Sequence, residues 1–428
     1  MNPKTRYPLP VTHHGFSMFD KSYLLPSEAL ERILEVIPER FPPVERLRIE
    51  ECYGRIQASD IISTEDLPAF SRSTVDGFAV SSSDTFGAKE TSPAYSALAG
   101  EVLMGAAPDF IIRKGESARI PTGGMLPEGA DSVVMLEHAQ VISNDMIEVL
   151  RPVAPNENVI RQGEDIKKGE TVLVRGHRLR AQDIGALAGI GVTEIDVYKK
   201  ILVAIVSTGD EVLPAGGPLL PGQVRDINSY TLSGFIFDCG GIPVKKGIFK
   251  DDYAVIKQAL QGALEDSDMV LISGGTSAGT KDMAAEIINA VGRPGVLFHG
   301  VSLKPGKPMI GGVAGAKPVL GLPGHPAAVA ICFDLFIRPL LERLSGLRTR
   351  KYFFKTVQAR MAKSIASAAG REDHIRVYLE ERDGELLATP VLGKSGLITT
   401  LVKADGVVAI PQGKLGLNAD EKVSVRLF

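Results

Sequence analysis

Between about residue 199 and residue 345, short apolar runs alternate with helical stretches, and three of the runs hand over to loops rich in Gly, Ser and Pro. Val203-Ala204-Ile205-Val206 leads into Ser207-Thr208-Gly209-Asp210-Glu211. Met269-Val270-Leu271-Ile272 leads into Ser273-Gly274-Gly275-Thr276-Ser277, and Val319-Leu320-Gly321-Leu322 into Pro323-Gly324-His325-Pro326. This is the pattern of βαβ units around a parallel sheet, whose ligand crevice lies beyond the carboxyl ends of the strands. Ahead of it, Pro26-Ser27 opens a helix with apolar Leu30, Ile33, Leu34 and Ile37 at three- and four-residue spacing, Ser27 as its cap and Pro38 as its stop. From about residue 60 to 160 the texture changes to short β-type runs, such as Ala118-Arg119-Ile120, Ser132-Val133-Val134-Met135 and Met146-Ile147-Glu148-Val149. Helix returns over 181–188, where Ala and Leu favour it. The last 80 or so residues alternate apolar and polar, with Asp383-Gly384 as a hairpin turn.

The expected fold is therefore a multidomain α/β protein. A helical, linking domain comprises 20–62 and 163–197, an inserted mostly-β domain 63–162, a parallel-sheet α/β domain 198–345, and a small C-terminal β domain 346–428. A length of 428 residues supports several cores. Net charge is −3, so no global basic field argues for nucleic acid or an anionic membrane, and any anion site must be local. The first residues lack an apolar signal core and no uncharged apolar run is long enough to span a bilayer, so the expected address is the cytoplasm. Three dispersed cysteines, Cys52, Cys239 and Cys332, suit a reducing compartment.

The chemistry gathers on the loops. In Ser273 to Asp282, three glycines permit close approach of backbone to an oxyanion and the hydroxyls of Ser273, Thr276 and Ser277 add donors. The same run also reads as a plain βα turn, and it matches neither the P-loop nor the dinucleotide fingerprint. Lys304-Pro305-Gly306-Lys307-Pro308 holds two cations on a non-helical turn. Pro326 suits the first position of a helix, whose N-terminus would face the same crevice. The carboxylates Asp210, Glu211, Asp226, Asp251 and Asp282 offer oxygen ligands to Mg²⁺, although helix capping is the commoner role of any single one. In the β segment, Asp76-Gly77 reads from spacing alone as a hairpin turn.

Longer strings carry a resemblance. Pro68-Ala69-Phe70-x-x-Ser73-x-x-Asp76-Gly77-Phe78-Ala79, Pro121-Thr122-Gly123-Gly124-x-Leu126-Pro127, Gly163-Glu164-Asp165-Ile166, Ser207-Thr208-Gly209-Asp210-Glu211, Ser273-Gly274-Gly275, Lys304-Pro305-Gly306-Lys307-Pro308 and Leu322-Pro323-Gly324 occur in order. Together they resemble the MoeA-type molybdopterin molybdenumtransferases, to which the C-terminal domain of gephyrin is similar. The resemblance implies a molybdopterin-binding α/β domain and a homodimer with its active site in a cleft between subunits. It also implies a Mg²⁺-dependent reaction of adenylylated molybdopterin with molybdate, giving molybdenum cofactor and AMP. A molybdopterin adenylyltransferase and recipient molybdoenzymes would be its partners.

By motif, Asp76 and Asp165 would act from the partner subunit, and Lys304 and Lys307 would hold oxyanion oxygens. Glu211, Asp251 and Asp282 would serve Mg²⁺. Thr122, Gly123, Ser207, Thr208, Gly209, Ser273, Gly274, Gly275, Ser277, Pro323, Gly324, His325, Arg371 and Ser395 would line the substrate site. Phe78, Thr280, His325 and Ala328 depart from the residues usual in the family, and tungstate could replace molybdate. Two other readings compete: the preceding adenylyl transfer, and a non-catalytic gephyrin-like scaffold.

Overall fold

The computed structural model describes residues 23–274, 278–348 and 355–428, with backbone alone for 278–282. Gly275, Thr276 and Ser277, and the side chains of Thr280 and Asp282, lie outside the described residues. The chain divides into two compact units, one of 1–42, 200–345 and 350–428, the other of 43–199 and 346–349.

In the first unit a six-stranded sheet runs in the order Ile242–Phe249, Leu202–Thr208, Met269–Gly274, Lys317–Leu322, Ile310–Ala314, Pro294–His299. Four strands are parallel, as the apolar runs predict. The other two pair antiparallel. Only Gly315 and Ala316 join Ala314 to Lys317, far short of the dozen or so residues a parallel crossover needs.

Alternate residues of the central strands fill two separate cores, as a period of two requires. Val203, Ile205, Leu271, Leu320 and Leu322 pack with Ala29, Ile33, Leu232, Ile236, Phe333 and Phe336. On the opposite face Ala204, Val206, Val270, Ile272 and Val319 meet Ile256, Leu260, Ile287 and Ile288. The helix Pro26–Val36 thus lies on the α/β sheet. Its cap is Leu25 rather than Ser27: Pro26 takes the first helical position and the Leu25 N–H donates back to the Glu28 carboxylate at 2.9 Å. The apolar stretch after Pro326 forms a helix Pro326–Cys332, a wider π-helical turn Phe333–Ile337 and a helix Arg338–Leu344.

The C-terminal strands Glu372–Arg382, Glu385–Pro390, Thr356–Met361, Lys422–Leu427 and Gly406–Ile410 pair in succession, and the last pairs again with the first, closing a small barrel. Asp383 and Gly384 are its hairpin turn, both with positive φ, 53° and 79°. The short strand Leu303–Lys304 joins this sheet, parallel to Glu372–Arg382.

The second unit carries a six-stranded sheet in the order Ser132–Met135, Gly77–Val80, Glu116–Ile120, Ala94–Glu101, Met146–Val149, Ala139–Ser143. Asp76-Gly77 is not a hairpin turn. Gly77 opens a strand paired on both sides, which sets Asp76 at its entrance. Phe78 is buried core at 1% exposure. A further core of Cys52, Leu173, Leu179, Leu187, Ile195 and Val197 holds the helix Ala181–Gly189. All three cysteines are buried and unbridged. Among the described residues no helix is long and apolar enough to cross a membrane.

At the start of Ala181–Gly189 the buried carboxylate of Asp183 accepts from the Arg180 N–H at 2.8 Å, from both ends of the Arg180 guanidinium at 2.9 Å, and pairs with His177 Nε2 at 2.7 Å. Burial alone would raise its pKa, but the bonds from Arg180 and His177 outweigh that and hold it far below the usual carboxylate range. A depressed native pKa stabilises the fold above the unfolded value of about 4, and that stability is lost as pH falls through the native value. Asp183→Asn is therefore expected to destabilise the protein by about 1–3 kcal/mol at pH 7. The deficit should shrink in urea melts taken below pH 3, and equal deficits at both pH values would contradict the assignment.

Candidate functional site

The carboxyl ends of the parallel strands are polar and buried. Register sets Ser207 beside Ser273 and Thr208 beside Gly274. Gly274 has φ 118°, and a Cβ there would stand 2.0 Å from the Thr208 carbonyl oxygen, so this approach of two strands admits only glycine. Ser207 Oγ donates to Asp226 Oδ2 at 2.7 Å, while Asp226 Oδ1 accepts from the Ser229 N–H at 3.0 Å. Asn228 Nδ2 donates to Ser273 Oγ and to the Gly324 carbonyl, both at 2.9 Å. Asn228 Oδ1 is buried with no partner among the described residues. These groups and Glu211, Asp251, His325 and Gly396 line one cleft of about 620 Å³.

Its acidic rim separates the carboxylates by task. Asp226 is committed to Ser207 and the following helix, which removes it from the set of free oxygen ligands. Asp252 caps the helix Tyr253–Asp266 through the Val255 N–H. Asp210 and Glu211 remain exposed. Asp251 sits with them, its N–H donating to Asp210 Oδ1 at 3.3 Å and its own Oδ1 buried without a partner among the described residues. Burial first, then the charges of Asp210 and Glu211, raise the Asp251 pKa above the usual carboxylate range. A carboxylate so placed fits a hard cation, which would satisfy the orphaned oxygen and relieve the repulsion. Among the described residues no three His, Cys, Asp or Glu side chains are grouped so as to hold a metal, so such a cation would take most of its oxygens from ligand or water.

A second cleft, of about 640 Å³, shares Gly324 and His325 with the first and is cationic. It is bounded by Lys304, Lys307, Arg371, Arg376 and Lys394, with Pro323, Ala328 and Ser395. Gly306 shapes the turn between the two lysines at φ 130°, where a Cβ would meet Leu303 Cδ2 at 2.7 Å. Lys307 Nζ lies 4.5 Å from the centre of the Tyr23 ring, a cation–π contact. Lys304 Nζ lies 3.5 Å from Asp373 Oδ2, and Arg371 Nε donates to Asp373 Oδ1 at 2.7 Å. His325 Nδ1 is 2.8 Å from Ser395 Oγ, and the Ala327 N–H donates to the Ser395 carbonyl at 3.1 Å. His325 precedes the helix as its cap residue without capping it by its side chain.

In the second unit, exposed Asp76 accepts from Thr122 twice, from N–H at 2.7 Å and from Oγ1 at 3.0 Å. The Gly123 N–H donates to the Ser73 carbonyl at 2.8 Å, and Asp165 is exposed, its N–H bonded to the Leu67 carbonyl. Of the residues singled out from the sequence, Ser207, Thr208, Glu211, Asp251, Ser273, Gly274, Gly324 and His325 line the first cleft, and Lys304, Lys307, Pro323, Arg371 and Ser395 join the last two in lining the second. Gly209 lines neither, and Asp76, Thr122, Gly123 and Asp165 belong to the second unit. Asn228, Asp373 and Arg376 line the clefts but were not singled out. The available signal was position: Asn228 opens a helix just after Asp226, and Asp373 lies two residues beyond Arg371.

Hydrogen bonds from Thr122, the backbone one first, hold the Asp76 pKa below its usual value. Thr122→Val keeps the backbone donor and loses the hydroxyl. The Asp76 midpoint, followed by NMR, should rise part of the way to an ordinary aspartate, and an unmoved midpoint would show that the hydroxyl contributes nothing.

Residues 25–191 match the MoeA N-terminal region (domain I and II), 204–343 a "Probable molybdopterin binding domain", and 358–428 the MoeA C-terminal region (domain IV). A Methanocaldococcus jannaschii protein, provisionally named a molybdopterin biosynthesis protein, is 36% identical over 95% of this chain and 98% of its own. The molybdopterin molybdenumtransferase of Haemophilus influenzae is 31% identical over 94% of this chain and 98% of its own. The crystal structure of a molybdopterin biosynthesis MoeA protein from Pyrococcus horikoshii superimposes with a TM-score of 0.82 at 32% identity, covering 95% of this chain and 100% of that one. The chain belongs to the MoeA family of molybdopterin molybdenumtransferases, transferases of molybdenum cofactor biosynthesis.

Proposed function

We propose that this protein transfers molybdenum from molybdate to adenylylated molybdopterin, releasing AMP. The observation that carries the reading is the pair of clefts joined at Gly324 and His325, one with an acidic rim and a Ser, Gly and Asn floor, the other cationic. The first suits the pyrophosphate-linked nucleotide: the hydroxyls of Thr208 and Ser273 supply donors, that of Ser207 being taken by Asp226, and the unpartnered Asn228 Oδ1 supplies an acceptor for a base or pterin amine. The second suits molybdate, with Lys304, Lys307 and Arg371 as point charges around a tetrahedral dianion and Ser395, tied to His325, as a neutral donor.

Glu211 and Asp251 would serve Mg²⁺, and the family resemblance adds Asp282, with the remaining oxygens from the substrate and water. Bound there, Mg²⁺ would offset the charge of the pyrophosphate and of the leaving AMP. The chain's own part is to orient the nucleotide by backbone and hydroxyl donors and to gather oxyanion and nucleotide on either side of His325. Asp76 and Asp165 would complete the site from a second copy in a homodimer. Asp76 is prepared for that, ionised, exposed and fixed by Thr122. A molybdopterin adenylyltransferase would supply the substrate and cofactor-free molybdoenzymes would receive the product, with the cytoplasm as the setting.

The test is AMP release from adenylylated molybdopterin with Mg²⁺ and molybdate or tungstate, followed by reconstitution of a cofactor-free molybdoenzyme. Release with active reconstituted enzyme supports the transferase, and the two oxyanions report its metal preference. Consumption of ATP with metal-free molybdopterin would point to adenylyl transfer instead, and intact substrate throughout to a scaffold. Lys304→Ala should raise the half-saturating molybdate concentration roughly 10- to 100-fold, the cost of a charged hydrogen bond. Asp251→Asn should raise the Mg²⁺ requirement instead. An unchanged response in either variant would place that ligand elsewhere.

A further inference from the structure

The cationic cleft contains a carboxylate that the proposed chemistry leaves without a role. Asp373 has a side chain only 1% exposed, whereas Lys304 is 57% and Arg371 37% exposed. The parallel pairing of Leu303–Lys304 with Glu372–Arg382 sets Lys304 opposite Asp373, while Arg371 immediately precedes that strand. One oxygen of Asp373 accepts from Arg371 Nε at 2.7 Å, and the other lies 3.5 Å from both Lys304 Nζ and Arg371 Nη2. Both oxygens are thus occupied by cations whose outer surfaces still face the cleft.

An oxyanion pocket does not need a carboxylate for attraction, since it subtracts one positive charge. It does need its long cations held still: a free Lys or Arg side chain carries about 2 kcal/mol of rotamer entropy. A buried, doubly paired carboxylate behind the two cations supplies that restraint before the ligand arrives. Burial raises the Asp373 pKa, but the Arg371 bond, the Ser367 hydroxyl and the nearby charges of Lys304 and Arg371 outweigh this and keep it below the usual carboxylate value.

We propose that Asp373 is a positioning residue of the oxyanion cleft, clamping Lys304 and Arg371 from two separate chain segments onto one tetrahedral oxyanion. This rests on the reading of that cleft as the molybdate site. Strand pairing alone would align the backbones but leave both side chains free to swing into solvent. The clamp adds what the ladder lacks.

The experiment uses the full chain and two readouts: molybdate binding by equilibrium dialysis, and AMP release as a function of molybdate concentration. In Asp373→Asn, binding should weaken and half-saturation should rise, each roughly tenfold or more, with the rate at saturating molybdate far less affected. Added to Lys304→Ala with Arg371→Ala, the same change should cost almost nothing further, because nothing remains to be clamped. Should Asp373→Asn fail to fold, Asp373→Glu, which keeps the charge one methylene farther out, carries the same comparison. Unchanged binding in a folded variant, full additivity with the double variant, or a lower rate at saturation with unmoved half-saturation would each overturn the clamp. Molybdate binding that weakens in the variant without any AMP release by the unaltered protein would leave the clamp standing and remove the proposed reaction. No molybdate binding by the unaltered protein would remove both.

Discussion

The parallel ladder of Leu202–Thr208, Met269–Gly274 and Lys317–Leu322 is the constraint from which the site follows. Parallel strands all end at the same edge, so Thr208, Gly274 and Leu322 must lie side by side there, next to backbone groups that the ladder no longer uses. The closeness of those ends dictates the residues. Ser207 and Ser273 lie in register, Gly274 passes so near Thr208 that a side chain is excluded, and Asn228 reaches across to Ser273 and Gly324. The apolar cores on the two faces fix the strands, and the polar edge is what remains when burial is complete.

Charge is then distributed by burial. Carboxylates that the helices and strand ends need, Asp226 and Asp252, are satisfied within the fold and leave Asp210, Glu211 and Asp251 to repel one another at the rim. On the other side of Gly324 and His325 the balance is reversed, with cations at the surface and a single carboxylate behind two of them. Two clefts of opposite character thus lie side by side, as the proposed transfer between a nucleotide-bearing substrate and an oxyanion requires.

Local sequence patterns carried much of this. The strands Ser132–Met135 and Met146–Val149 coincide with the apolar runs, and Asp383-Gly384 turns the hairpin its composition demands. Motif resemblance named the family, and the residues it singled out include Ser207, Glu211, Asp251, Lys304, Lys307 and Arg371 on the cleft walls. What stayed hidden depends on pairing between distant segments. The antiparallel edge of the sheet follows from the short Gly315-Ala316 connection, which no hydrophobic period reveals. Asp76-Gly77 has hairpin chemistry, yet strands on both sides claim Gly77. Asp373 acquires its place only because a two-residue strand from 69 positions earlier docks against its own. Tyr23 meets Lys307 for the same kind of reason, the residues before the first helix running alongside Val301.

The wall formed by Gly324 and His325 has a thermodynamic consequence. It faces both clefts, and through Ser395 it fixes one side of the cationic one. Whatever moves His325 from the acidic-rimmed cleft also moves a boundary of the cationic one. Linkage is reciprocal: the factor by which a ligand in one cleft changes affinity in the other equals the factor by which the second ligand changes affinity in the first. A single imidazole at that boundary therefore bears on the order in which the two clefts fill, as well as on how tightly each is filled.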